Sequence, residues 1–142
     1  MKNLTHRLMI AAAALAVTAG SALAQTRTYT AEIPHAFQAG KTQMQSGSYV
    51  FKVEPQGGNS IVTVSNLDTN KKIYLLPSAG PDAPKAWSDA GKPVVALACA
   101  DGQCALQSLW DGHNSSVYRF APPKPVRETR FVSMLIPLHP AN

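Results

Sequence analysis

The segment Cys99-Ala100-Asp101-Gly102-Gln103-Cys104 places a turn dipeptide midway between two cysteines, and an apolar run flanks it on each side. Asp-Gly between two strand-forming runs favours a two-residue type I′ β-hairpin. A turn centred on Asp101-Gly102 makes Ala100 and Gln103 its hydrogen-bonded closing pair. Cys99 then faces Cys104 at the next, non-hydrogen-bonded position, where Cα atoms lie about 4.5 Å apart, a separation that suits a disulfide. We therefore predict a hairpin cross-linked by Cys99 and Cys104.

The turn also sets the register of the two runs, because each step away from it pairs the next residue of one run with the next of the other. Leu97 should face Leu106, and Ala96 should face Gln107. Because side chains alternate between the two faces of a strand, this register places Leu97, Leu106 and Trp110 on the same face as the disulfide. We expect that face to be buried.

Other roles for the cysteines fit the sequence less well, although free thiols, a redox dithiol and a metal site are alternatives. A redox dithiol is normally Cys-x-x-Cys at the start of a helix. Zinc would need more ligands in register. Outside the N-terminal segment, His35, His113 and His139 lie far apart, and none has a second ligand at i+2 or i+4. We expect a structural disulfide, no metal and no cofactor.

Alternating apolar and polar residues also mark the rest of the chain. Tyr49, Phe51 and Val53 fall on one face of a run whose other face carries Lys52 and Glu54, the pattern of a half-buried strand. Turn residues separate further short runs of strand-forming residues at 28–33, 60–66, 72–76, 94–99, 104–110 and 116–120. Residues 130–136 form a strand or a short helix, and we expect the strand. This spacing predicts an all-β fold, a single-domain β-sandwich or open barrel of about seven to nine short antiparallel strands.

Residues 77–92 differ from the rest, since they carry Pro77, Gly80, Pro81, Pro84 and Gly91 and show little periodicity. This composition predicts a long irregular loop, which contains Lys85 and Trp87. Loops on a rigid scaffold commonly carry binding residues. Lys85 and Trp87 are therefore the candidate binding residues, and the alternative for Trp87 is that it closes the edge of the core.

The first 24 residues have the pattern of a cleaved secretory signal peptide. Lys2 and Arg7 give a basic start, residues 8–17 are all apolar, and Ala22-Leu23-Ala24 fits an A-x-A cleavage site. The apolar run is shorter than the roughly 20 residues that span a bilayer. Removing residues 1–24 from the 142-residue chain leaves a domain of 118 residues, 25–142. We expect export to a periplasm or to the extracellular space, without stable membrane insertion after cleavage.

Charge and motifs argue against two functional classes. The formal charge of +5 falls to +3 when Lys2 and Arg7 leave with the signal peptide, and the remaining basic residues are scattered. Nucleic-acid binding would need a basic stripe with stacking aromatics, so we expect none. The chain contains no G-x-S-x-G, H-E-x-x-H, phosphate-loop or dinucleotide glycine motif. We expect no enzymatic activity; a hydrolase would require two carboxylates that converge in a cleft.

Two stretches resemble a family of small exported proteins of unknown function from soil bacteria. Ile33-Pro34-His35-Ala36-Phe37, followed by Gly40, Gly47 and Tyr49, is similar to the pattern I-P-F-x-F-x-x-G-x-x-x-L-P-A-G-x-Y. Residues 106–110, Leu-Gln-Ser-Leu-Trp, resemble the family's later strand. His35 replaces an aromatic residue, and Met44-Gln45-Ser46 replaces Leu-Pro-Ala. The resemblance implies a compact, mostly β secreted domain. It implies no particular activity, so no functional residues follow from it.

These observations favour a non-enzymatic exported β-domain that binds an unidentified envelope or extracellular component. The alternative is a carrier of a small ligand with an apolar cavity inside the β-domain. Five apolar side chains would line that cavity: Tyr49, Phe51, Leu97, Leu106 and Trp110. The same residues would serve equally well as a close-packed core.

Overall fold

The computed structural model describes residues 25–121 and 130–141, so the predicted signal peptide at 1–24 lies outside it. Twelve strands and one short helix lie in the described residues. In chain order they are β1 (Arg27–Ile33), β2 (Phe37–Ala39), β3 (Thr42–Met44), β4 (Gly47–Gln56), β5 (Asn59–Asn66), β6 (Lys72–Leu75), β7 (Ser78–Asp82), α1 (Lys85–Ala90), β8 (Val94–Ala100), β9 (Gln103–Trp110), β10 (Ser116–Arg119), β11 (Val132–Pro137) and β12 (His139–Pro140).

The strands form two sheets, which confirms the all-β prediction and selects the sandwich. The five-stranded sheet has the order β12-β1-β4-β5-β6, and the seven-stranded sheet has the order β11-β8-β9-β10-β7 with β2 and β3 beside β9. All pairs are antiparallel except β2 with β9. The count exceeds the predicted seven to nine because β2, β3 and β12 have only two or three residues, too few to show alternation.

The core lies between the two sheets, where the inward side chains of each strand meet. Tyr49, Phe51 and Leu97 are 0% exposed and Leu106 is 1% exposed, and they belong to one cluster. The rings of Phe37 and Tyr49 pack edge to face with centroids 5.2 Å apart. Four of the five residues named for an apolar cavity therefore pack against one another in the core.

The central hairpin joins β8 to β9 as predicted. Asp101 and Gly102 have φ angles of 52° and 76°, and positive φ at both central positions is what a type I′ turn requires. The Cys99–Cys104 disulfide is formed, with Cα atoms 4.0 Å apart. The predicted pairs Ala100 with Gln103 and Leu97 with Leu106 are also present. The sequence therefore predicted the turn, the cross-link and the first part of the register correctly.

The register shifts beyond this point, and the prediction for Trp110 is wrong. Ala96 pairs with Ser108 instead of Gln107, because β9 holds one extra residue at Gln107. Leu109 consequently turns into the main core, where it is 0% exposed. Trp110 is buried on the outer face of the sheet instead, in a second cluster with Val94 and Val117.

Residues 77–92 form β7 and α1, so the predicted irregular loop is also wrong. β7 is an edge strand of the seven-stranded sheet, and an edge tolerates Pro81 because the missing N–H is not needed for a ladder on both sides. α1 begins after Pro84 and ends at Gly91, which has φ 62°. No helix among the described residues has the length and apolar character needed to cross a membrane.

Candidate functional site

Trp87 fixes the short helix α1 to the outer face of the seven-stranded sheet. It packs against the second cluster, whose buried members are Val94, Trp110 and Val117. None of the residues of α1 is fully buried, so the half-buried Trp87 is the anchor that the helix has on this sheet. Trp110 is fixed in turn, because its indole Nε1 donates to the carbonyl oxygen of Asn114 at 2.7 Å. Trp87 thus rests on a rigid surface.

A groove of about 330 Å³ lies beside Trp87, between α1 and the sheet. We call it the polar groove, because polar side chains of four strands line it together with the Trp87 ring. Its polar residues are Asp82, Gln107, Ser108, Arg119 and Ser133, and its apolar residues include Ala96, Val117, Pro81 and Pro84.

The extra residue in β9 supplies two of these polar groups. Gln107 and Ser108 are consecutive, yet both line the polar groove, because the register shift interrupts the normal alternation between faces. Gln107 is exposed, and Ser108 is 7% exposed. Bulges are common beside functional sites, where they redirect a side chain. Sequence reasoning missed both residues, since the regular register put them on opposite faces.

Gly80 lets Arg119 reach the polar groove. A Cβ atom at Gly80 would lie 2.5 Å from Cγ of Arg119 and 2.7 Å from Cγ2 of Val117. The stem of Arg119 therefore lies directly against the backbone of β7, where any larger residue would displace it. Within residues 25–121 and 130–141, neither Arg119 nor Asp82 forms an ion pair.

Trp87 also lines a second groove, of about 210 Å³. We call it the apolar groove, since Lys92 is the one charged residue among the side chains that line it. Leu135, which is 50% exposed, and Pro137 contribute from β11. Lys85 is exposed on α1 and lines neither groove. Of the two predicted binding residues, the structure therefore brings Trp87 to both grooves and leaves Lys85 outside them.

A third cleft, of about 260 Å³, lies at the end of the sandwich next to Asp111. Asp111 is 1% exposed. Its carboxylate accepts hydrogen bonds from Nη1 of Arg27 at 2.7 Å, from the backbone N–H groups of His113 and Asn114 at 3.0 Å each, and from Nδ2 of Asn114 at 2.8 Å. The hydroxyl of Tyr29 donates to the backbone oxygen of Asp111 at 2.8 Å. These bonds tie β1 to the turn between β9 and β10.

The arrangement around Asp111 is that of a structural clasp. Its oxygens already have their donors, and among the described residues no second carboxylate lines this cleft. Burial raises the pKa of Tyr29 and of Tyr118, and the nearby negative charge of Asp111 raises both further. Arg27 lies 84 positions from Asp111, so no local sequence signal links the two residues.

The disulfide and the polar groove thus lie on opposite faces of the hairpin of β8 and β9. The disulfide contributes Cys104 to the main core, on the inner face, and the polar groove lies on the outer face. No group of three or more His, Cys, Asp and Glu side chains with the geometry for a metal ion occurs in the part of the chain that the structure describes. In comparisons with known proteins, no family model matches this chain, and neither the curated proteins nor the solved structures that were searched contain a match.

Proposed function

We propose that this chain is an exported, non-enzymatic β-sandwich module that binds another component of the cell envelope or the extracellular space through the polar groove. The observation that carries the proposal is the position of Trp87. Its ring is fixed against the cluster of Val94, Trp110 and Val117, and it lines a groove with polar side chains. A rigid aromatic wall with a few polar groups facing it is the usual composition of a binding site.

Export is part of this proposal, and two features support it. Residues 1–24 have the basic start, apolar run and small-residue ending of a signal peptide. The Cys99–Cys104 disulfide is a cross-link that persists mainly in oxidising compartments. The resemblance of the Ile33–Tyr49 segment to small exported β-proteins points in the same direction.

We propose a binding protein and not an enzyme because of where the carboxylates near the clefts lie and what they bind. The buried carboxylate, Asp111, is used in the clasp between the sheets. Asp82 is the one carboxylate among the side chains of the polar groove. A glycosidase-type mechanism needs two carboxyl groups that flank the bond to be cleaved. In the part of the chain that the structure describes, the polar groove and the cleft beside Asp111 have one carboxylate each.

A pull-down from the native cell envelope tests the proposal. Tagged mature protein, Gln25 onward, should capture a component that the Trp87→Ala and Gln107→Ala variants capture poorly. Tyr74→Ala is the matched control, because Tyr74 is 69% exposed and lies on β6 of the other sheet. Thermal unfolding of each variant checks that the fold is intact. Equal capture by wild type and both groove variants would show that the polar groove is not the binding site.

A further inference from the structure

We infer that the polar groove binds a neutral polysaccharide, with a sugar ring stacked on Trp87. This inference rests on the proposed function and names the ligand class of the same site. A pyranose ring has one face of C–H groups and a rim of hydroxyls. The flat, apolar ring of Trp87 can pack against the C–H face of the sugar, and the polar groups around it can bind the hydroxyls.

The polar side chains can each serve a hydroxyl group, which both donates and accepts hydrogen bonds. The Gln107 amide carries two donors and an acceptor, and the hydroxyls of Ser108 and Ser133 do both. Arg119 adds donors, and Asp82 adds acceptors. This mixture suits a ligand whose polar groups are hydroxyls.

The charges of the polar groove indicate that the ligand is neutral. Among the described residues that line the groove, Arg119 and Asp82 contribute one charge of each sign, and these two charges cancel. An anionic polymer would gain from Arg119 but meet the carboxylate of Asp82, and a cationic polymer would meet the opposite conflict. A sugar chain without carboxylates, phosphates or amines avoids both conflicts.

The shape of the site indicates a chain ligand. The polar groove is open to solvent, and its volume of about 330 Å³ accommodates a short stretch of sugar chain. Trp87 also lines the apolar groove, so a polymer bound at Trp87 could contact both grooves.

Peptide binding by strand addition is not favoured at this site. That mode requires an unpaired strand edge, whose backbone groups pair with the peptide. Ala96 and Ser108 line the groove from β8 and β9, which are paired with strands on both sides. The edge strands β7 and β11 also border the groove, but β7 contributes Pro81 there, which has no N–H to offer a peptide backbone, and β11 contributes Ser133. Recognition in the centre of the groove therefore relies on side chains, which is how sugar hydroxyls are bound.

Affinity electrophoresis of the mature protein tests this inference. Native gels contain amylose, xylan or a soluble β-glucan, and insoluble cellulose and chitin are tested by co-sedimentation. At least one of these neutral polymers should retain the wild-type protein. Trp87→Ala should weaken that binding about tenfold, and Gln107→Ala about fivefold, the loss of one hydrogen bond. Trp87→Phe keeps a ring and should keep most of the affinity, and Tyr74→Ala should bind like wild type.

Three outcomes would overturn the inference. The first is no retention by any neutral polymer, and the second is retention only by anionic alginate. The third is retention that Gln107→Ala and Ser133→Ala both leave unchanged, together with Trp87→Ala if that variant folds. If the neutral polymers fail while the groove variants still lose the captured envelope component, the ligand class is wrong and the proposed binding function stands. If the variants also capture that component as well as wild type does, both are wrong.

Discussion

Asp111 shows how one side chain can connect two sheets. It is buried, yet its charge is matched by Arg27 and its remaining acceptor capacity is used by the turn that follows it. A buried carboxylate in this state stabilises the fold only as long as each partner is present, since an unpaired buried group costs free energy. The predictions at the scale of single residues follow from this environment.

Asp111→Asn should lower the free energy of unfolding by about 1–3 kcal/mol, because the amide keeps an acceptor for the turn but loses the charge that Arg27 requires. Urea unfolding measures the change. The control is Glu54→Gln, which breaks the other ion pair; Lys52 and Glu54 are 44% and 32% exposed in their side chains, so its cost should stay below about 1 kcal/mol. Equal losses in the two variants would contradict the role of Asp111.

The raised pKa of Tyr118 leads us to expect a lower free energy of unfolding at high pH. Burial, and secondarily the charge of Asp111, raise its pKa above the ordinary value of 10.0. The folded state therefore holds the phenolic proton when the unfolded state has already lost it, so the free energy of unfolding should fall as the pH rises above 10. Tyr118→Phe should make this fall shallower in urea titrations, and Tyr74→Phe should not. Parallel pH profiles for wild type and Tyr118→Phe would refute the effect.

At the scale of elements, the hairpin of β8 and β9 shows how far local sequence reaches. The Asp101-Gly102 turn determines the pairs nearest to it, so the disulfide and the Leu97–Leu106 pair could be predicted. The extra residue at Gln107 could not, because its placement depends on Leu109 entering the core and Trp110 packing under α1. β7 and α1 were missed for a similar reason: their sequence is rich in proline, and contacts with β10 and the second cluster stabilise them.

The candidate site was predictable only in part, for the same physical reason. Trp87 stands out as an aromatic residue in a segment without periodicity. Its polar neighbours come from β7, β9, β10 and β11, which are distant in the sequence and adjacent only in the sheet. Lys85 lies in the same segment as Trp87, but in α1 Trp87 lines the polar groove while Lys85 is exposed outside it.

The disulfide should add little to the stability of the hairpin. It closes a loop of six residues, Cys99 to Cys104, for which chain entropy gives roughly 2 kcal/mol before any strain is subtracted. Reduction should lower the free energy of unfolding by about that amount or less and leave the domain folded. Urea unfolding with and without reductant measures the loss. Two reactive thiols in the unreduced native protein, titrated with Ellman's reagent, would contradict the cross-link.

Deletion of Gln107 tests the bulge directly. With this residue removed, Ala96 still pairs with Ser108, and Leu109 and Trp110 keep their faces, because Gln107 is the extra residue. We expect the variant to fold and to lose less than about 2 kcal/mol. A deletion of Thr63 in the regular strand β5 is the control: it turns the neighbouring inward side chains to the wrong face and should prevent folding. If the Gln107 deletion also fails to fold, the bulge has a structural role as well.

At the scale of the whole molecule, the sandwich is closed at its margins by contacts between the sheets. The chain changes sheets four times: between β1 and β2, between β3 and β4, between β6 and β7, and between β11 and β12. Beside β6, the ammonium of Lys71 donates to the backbone oxygen of Gln43 at 2.8 Å, so the β2–β3 hairpin covers part of an edge that would otherwise be open. At the opposite margin, the clasp of Arg27 and Asp111 joins the first strand to the turn after β9.

The ion pair of Arg27 and Asp111 requires that Arg27 remain in the chain after the predicted signal cleavage. Cleavage after Ala24, the site that the sequence predicts, would leave Gln25 and Thr26 ahead of β1, and Arg27 would remain to pair with Asp111. Protein recovered from the periplasm or the medium should therefore begin at Gln25 by mass spectrometry.

A recombinant chain that begins at Gln25 should be as stable as the exported protein. One that begins at Thr28 should lose about 1–3 kcal/mol, as should Arg27→Ala, because both leave the buried carboxylate without its cation. An exported protein that begins beyond Arg27 with undiminished stability would show that the two sheets do not depend on this ion pair.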